Sequence, residues 1–268
     1  MMRPYLALLK QQMRVRLQFR AALLGQVATN IFWALTRAAI LRAFYTSGAG
    51  SASISLAQAV NMCWLTEICL YLMPGYLMDY SIWTQISRGE VGYDLLRPLD
   101  LYAHWYARTL AGRLSDFLLV LLPVGAAGLL MPGGLGLRLT APPLSILAGV
   151  FTLATGMLLS CAMILVVFAA CMDVHVGSGP ASALMTCSQI LAGSILPLQL
   201  WPDFMQGFLA FQPFASMMDL PMRFLAGSAG LSELPRVLLV QGFWFMALLA
   251  LGRFWVKRNL RRMVIQGG

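Results

Sequence analysis

The sequence predicts an all-α integral membrane protein with six transmembrane helices, and three observations carry that prediction. Of 268 residues, 59% are hydrophobic and only 11% charged, with a mean hydropathy of +0.74. A soluble domain carries about 25% charged residues, so these charges are too few to cover a water-facing surface. Several apolar stretches approach or exceed the roughly 18 to 20 residues that a bilayer-crossing helix needs. Finally, positive residues cluster in 1–20, 88–113 and 253–262 and are sparse in 46–53, 132–143 and 201–232. The positive-inside rule then places both termini and the 88–113 segment on the cytoplasmic side.

Taken in order, residues 1–20 carry Arg3, Lys10, Arg14, Arg16 and Arg20, with Leu6, Leu9, Met13 and Leu17 at spacings of three and four. This pattern predicts a basic amphipathic helix lying on the membrane surface. Its charges run on without a short apolar core and a small-residue cleavage site, which argues against a signal peptide. Spans 1 and 2 are expected within 21–80. The uncharged core of the first runs from Ala21 to Thr36, with Arg42 able to snorkel to the outer interface. Arg37 lies deeper. The second span, about 55–79, carries Glu67 near its middle. A carboxylate there is expensive and marks a site by default. At 1.5 Å per residue, Arg37 and Glu67 fall within about 10 Å in depth on antiparallel neighbours. They are expected to pair or to face a hydrophilic cavity, or else to meet a partner subunit or main-chain carbonyls in a purely structural role.

Residues 81–102 form a polar island, WTQISRGEVGYDLLRPLDLY from Trp83 onward. Ser81–Arg88 reads as a short helix stopped at Gly89. Glu90–Leu96 can form a further turn, which Arg97-Pro98 breaks. Pro98 then opens the next helix, with Asp100 in its first turn. Spans 3 to 5 fill 103–200. The third runs to about 131 with His104, Arg108, Arg113 and Asp116 at its cytoplasmic end. The fourth, Leu144–Met172, is rich in the small residues that permit close packing, among them Gly149, Gly156 and Ser160. The fifth covers about 181–200. In 201–232, apolar pieces too short to cross are punctuated by Pro213, Pro221 and Gly227, which predicts short outer helices that dip into the membrane and return. Span 6 and a basic tail complete 233–268. The chain reads as a single membrane domain over 1–268.

Much chemistry is missing. No GxxxxGK[ST] phosphate loop, GxSxG or HExxH occurs in the sequence, so neither a phosphate-loop ATP site nor a familiar hydrolase site is expected. Two histidines and ten acidic residues leave little for catalysis. The five cysteines lie in apolar stretches without a CxxC, which predicts buried free thiols and no metal. The net charge of +9 sits at the ends, where it faces anionic lipid; membrane lipids, not nucleic acid, are the expected partners.

The island carries a resemblance. Arg88-Gly89-Glu90, followed by Tyr93-Asp94-Leu95-Leu96-Arg97-Pro98 and on to Tyr102, is similar to the cytoplasmic loop of bacterial ABC-2-type transporter permeases. It looks closest to the branch often paired with a second, related permease and a separate ATPase. Gly193–Leu200, Trp201-Pro202, Phe211–Phe214 and Arg223 resemble that family's outer re-entrant segment. The resemblance implies an exporter permease in the bacterial inner membrane, working with a second permease chain, identical or related, and two copies of a cytosolic ABC ATPase. ATP and Mg would bind the partner ATPase, with no cofactor in this chain. It also implies that 81–102 is a coupling helix between spans 2 and 3, seated in the ATPase. Arg88 and Arg97 would then fork onto acidic groups, Glu90 and Asp94 would take basic ones, and Tyr93, Leu95 and Leu96 would form an apolar plug. The competing readings are an ATP-independent channel or carrier and a non-transporting assembly subunit. A carrier needs a continuous polar path, which only Arg37 and Glu67 suggest.

Overall fold

The computed structural model describes residues 3–47, 54–73, 80–88, 91, 100–138, 140–173 and 179–261. Among them every regular element is a helix. Helix α1 (Arg3–Gln18) leads after one break into α2 (Arg20–Thr46). Helix α3 (Leu56–Cys69) continues into a 3-10 turn at Leu70–Leu72, and α4 (Tyr80–Ser87) is short. The long helices α5 (Leu101–Leu130) and α6 (Pro143–Asp173) follow, then α7 (Gly179–Leu191). Three short helices come next, α8 (Asp203–Phe211), α9 (Pro213–Met217) and α10 (Asp219–Ala226). Helix α11 (Leu234–Leu260) is the last.

Three helices are long and apolar enough to cross a membrane, at Leu101–Leu130, Pro143–Met172 and Leu231–Leu260. The three other expected spans differ from these for visible reasons. Helix α2 has the length but carries Gln26, Asn30, Arg37 and Arg42 in its 27 residues. The apolar stretch Leu56–Leu72 is the helical part of the second expected span among the described residues, about 25 Å at 1.5 Å per residue, and 74–79 lie outside the described residues. The expected fifth span, 181–200, stops as a helix at Leu191. Gly193, with φ +74°, and Pro197 turn the chain before a 3-10 turn at Leu198–Leu200.

Helix boundaries follow their capping chemistry. Ser55 and Gln58 form a reciprocal capping box at the start of α3. The Asp100 carboxylate accepts the Ala103 N–H at 3.2 Å and starts α5. Gly227, at φ +73°, ends α10 in the left-handed conformation that glycine takes without strain.

The interior has three apolar clusters. One joins α2, α3 and α5 through Ala34, Ala38, Trp64, Val120 and Val124. A second joins α4, α5, α6 and α11 through Ile82, Trp105, Phe168 and Val256. The third seats the short helices by Leu209 and Phe224 against Ala148 and Val237. The small residues of α6 do permit close packing, and what packs there is the α9–α10 segment. A Cβ added at Gly156 would lie 2.7 Å from the Met217 carbonyl oxygen, and one at Gly149 would lie 2.6 Å from Leu225. Gln241 of α11 completes this junction: its Nε2 donates to the Thr152 and Ser216 carbonyls at 2.8 and 2.7 Å, and its Oε1 accepts from the Thr155 hydroxyl at 2.6 Å. Four cysteines are buried free thiols, whereas Cys187 is exposed on α7.

Residues 203–226, within the segment expected to re-enter the membrane, form three short helices. Asp219, 1% exposed, holds it together: it accepts the Leu198 N–H at 3.0 Å and the Arg223 Nε at 2.6 Å. A side chain at Gly193 would collide with that carboxylate at 2.8 Å, so the close approach requires glycine.

Candidate functional site

The most conspicuous chemistry inside the helical bundle is a chain of polar groups along α3. Arg37 of α2 and Glu67 of α3 form an ion pair through Nη2 and Oε1. Glu67 is 1% exposed. Arg37 also donates through Nη1 to the Ser194 carbonyl beyond α7, and through Nε to the Trp33 carbonyl at 3.5 Å. The pair therefore ties α2, α3 and the end of α7 together. One turn further along, the Asn30 amide donates to the Glu67 carbonyl at 3.3 Å and accepts the Tyr71 hydroxyl at 3.1 Å.

The chain continues at the end of α3. Residues Cys69–Met73 are all buried, so water cannot satisfy the carbonyls that a helix leaves unpaired at its C-terminus. Side chains do it instead. The Arg113 guanidinium donates to the Tyr71 carbonyl at 3.4 Å and to the Met73 carbonyl, and the Ser160 hydroxyl donates to the Leu72 carbonyl. A cation at this end also complements the helix dipole. Arg113 is 3% exposed, and its Nε and Nη2 have no partner. One turn along α5, Asp116 receives a fork from Arg16 of α1, Nε at 2.9 Å and Nη2 at 3.1 Å. The surface helix expected from the sequence is thus clamped to a long apolar helix by a bidentate pair.

Sequence reasoning singled out Arg37 and Glu67 but missed Asn30, Tyr71 and the capping role of Arg113. It placed Arg113 and Asp116 at the cytoplasmic end of the third span and said nothing of their burial; both are buried. Their spacing of three within an apolar helix puts them on one face, and that was the available signal. Among the described residues, no group of His, Cys, Asp and Glu is placed to hold a metal ion. The arrangement holds charge within the bundle and links five helices, α1, α2, α3, α5 and α6, with the segment after α7; among the described residues it places no nucleophile beside a base.

Of the island residues, Arg88 is exposed in the turn that follows α4, its N–H bonded to the Thr84 carbonyl at 2.9 Å. Gly89, Glu90, Tyr93, Asp94, Leu95, Leu96, Arg97 and Pro98 lie outside the described residues. On either side of Arg88, Ile82 and Val91 are 0% and 1% exposed and join Trp105 and Phe168 in the second cluster. Arg88 is therefore presented from an element seated in the apolar core.

Among the described residues every regular element is a helix, three are long and apolar enough to cross a membrane, and charges are buried between them, the pattern of an integral membrane protein. The chain matches the family model described as ABC-2 family transporter protein over residues 57–267, and it belongs to that family. It is accordingly a permease, the membrane-embedded transport subunit of an ABC transporter and not itself a catalytic enzyme, and its family works with an ABC ATPase. No curated protein and no solved structure matches the chain.

Proposed function

We propose that the chain is an exporter permease of the bacterial inner membrane, six-spanning with both termini cytoplasmic, coupled to a separate cytosolic ATPase. Two ATPase copies and a second permease chain, identical or related, complete the transporter. ATP and Mg bind the ATPase. The observation that carries this reading is the family match over 57–267, and the distribution of positive residues supports the orientation.

In this reading residues 81–102 are the handle by which the ATPase grips the membrane domain. Arg88 and Arg97 engage acidic groups on the motor, Glu90 and Asp94 engage basic ones, and Tyr93, Leu95 and Leu96 fill an apolar hollow. Gly89 and Pro98 set the bends. Closure of the ATPase pair moves the spans as rigid bodies and shifts the path between leaflets. Arg37 and Glu67 are the polar groups around which α2 and α3 rearrange.

The test is a mild-detergent pull-down from the native membrane with mass spectrometry of the eluate. A phosphate-loop ATPase is expected, and it should be lost when residues 88–97 are scrambled in a chain that still folds. Recovery of the chain alone would favour an ATP-independent carrier. Transport that survives Asp94→Arg combined with Arg97→Glu would remove those two side chains from the interface.

A further inference from the structure

A basic stripe on α11 has no role in the polar chain described above. Arg253, Lys257 and Arg261 recur every four residues, so they stack on one face of the last turns. Like charges at this spacing repel. None has a carboxylate partner among the described residues: Arg16, Arg37 and Arg223 take the ion pairs there. The helix C-terminal dipole offsets part of the repulsion, but three stacked cations exceed what one dipole balances. With Asp100 and Tyr102 of α5 they line a cavity of about 540 Å³. Asp100, which caps α5 through the Ala103 N–H, brings one carboxylate to this lining against three cations, so the lining keeps a net positive charge.

A second cavity of about 530 Å³ adjoins the first and shares Tyr102 and Arg253 with it. Its character is opposite. Leu9 of α1, Tyr106, Leu110 and Leu114 of α5, and Phe245 and Leu249 of α11 make it an apolar groove running along the helices. Tyr102 stands where the two meet. It is 3% exposed, its hydroxyl has no partner, and the Arg253 guanidinium lies 5.7 Å over its ring. The α11 backbone approaches the ring so closely that a Cβ on Gly252 would lie 2.9 Å from it.

We infer that the two cavities form one site for an anionic phospholipid. The phosphate headgroup sits among Arg253, Lys257 and Arg261, with the Tyr102 hydroxyl at its base, and an acyl chain lies in the groove between α5 and α11. A free anion would leave the groove bare, and a wholly apolar partner helix would leave three cations uncompensated. Only an amphiphile with a negative head and an apolar tail matches both halves at once. Basic pockets between membrane helices recognise anionic headgroups in this way.

The full chain in mild detergent, titrated with phosphatidylglycerol, phosphatidylcholine of the same acyl chains, and inorganic phosphate, tests the inference by native mass spectrometry. Phosphatidylglycerol is expected to bind about tenfold more tightly than phosphatidylcholine. K257Q/R261Q should bring the two together, and A107W, whose new ring fills the groove, should weaken both. Equal affinity of the wild-type chain for the two lipids overturns the headgroup assignment, and needs no variant to fold. Displacement of phosphatidylglycerol by equimolar inorganic phosphate would make the ligand a free anion. A dimer that A107W dissociates, with lipid retention unchanged, would place a second copy of the chain in the groove. Either result overturns the inference.

Discussion

Neutralising the two members of the Arg37–Glu67 pair should have unequal effects, and the inequality follows from their surroundings. Glu67 is 1% exposed and its carboxylate has no hydrogen-bond partner apart from its ion-pair contact with Arg37. Arg37, with a side chain 18% exposed, keeps the Ser194 and Trp33 carbonyls when the carboxylate goes. Removing one partner of a buried pair costs about 3 to 5 kcal/mol. R37Q strands the carboxylate and should fall near the upper end, about 5 kcal/mol, whereas E67Q should fall near about 3 kcal/mol. R37Q/E67Q removes both charges and lets two amides bond, so it should cost less than R37Q alone, with a coupling of about 3 kcal/mol or more. The assay is equilibrium unfolding in mixed micelles of mild detergent and dodecyl sulfate, followed by helical circular dichroism. Single-variant costs that add to within about 0.5 kcal/mol in the double would refute the reasoning, because independent sites behave that way.

Two further predictions concern the clamps around that pair. Arg16 is 45% exposed in its side chain and Asp116 only 6%, so freed Arg16 can turn to water and freed Asp116 cannot. R16Q should therefore cost about 2 kcal/mol and D116N about 1 kcal/mol, and R16Q should speed proteolysis at the α1–α2 break; equal costs would mean that the fork is not desolvated. Gly156→Ala pushes a methyl to 2.7 Å from a main-chain oxygen of α9 and should cost about 1 to 3 kcal/mol. Gly242→Ala meets nothing within 4 Å and should be neutral or stabilising by up to about 1 kcal/mol. Melting temperatures of the two variants in the same detergent decide between them.

What the sequence made legible was the part governed by local rules. The start of α9 and the end of α10 follow from Pro213 and Gly227, whose effect on the backbone does not depend on distant contacts; α5 instead begins at Leu101, with Asp100 outside it as the cap and not in its first turn as expected. Arg37 and Glu67 stood out because charges in apolar runs are rare. Hydropathy does not report that α3 ends in a 3-10 turn whose carbonyls Arg113 and Ser160 collect. Nor did it report that Gly193 breaks α7 to meet Asp219. Both are long-range contacts that replace water at a buried helix end. The burial of Arg113 and Asp116 was not legible for the same cause: Arg113 reaches the carbonyls at the end of α3, and Arg16 of α1 covers Asp116.

The contacts between helices have an unequal design. Trp64 donates to the Leu135 carbonyl, Tyr106 to Leu158, Asn259 to Ala169, Arg42 to Gly133 and Gln58 to Gly227. In each case one side supplies a specific side chain and the other only its main chain. The donor cannot be exchanged without losing the bond, whereas the acceptor contributes only a carbonyl that every residue carries; Gly133 and Gly227 are held to glycine by their positive φ, but the bonds themselves do not fix Leu135, Leu158 or Ala169. A relative of this protein can thus change the acceptor residue at such a junction and keep the junction itself.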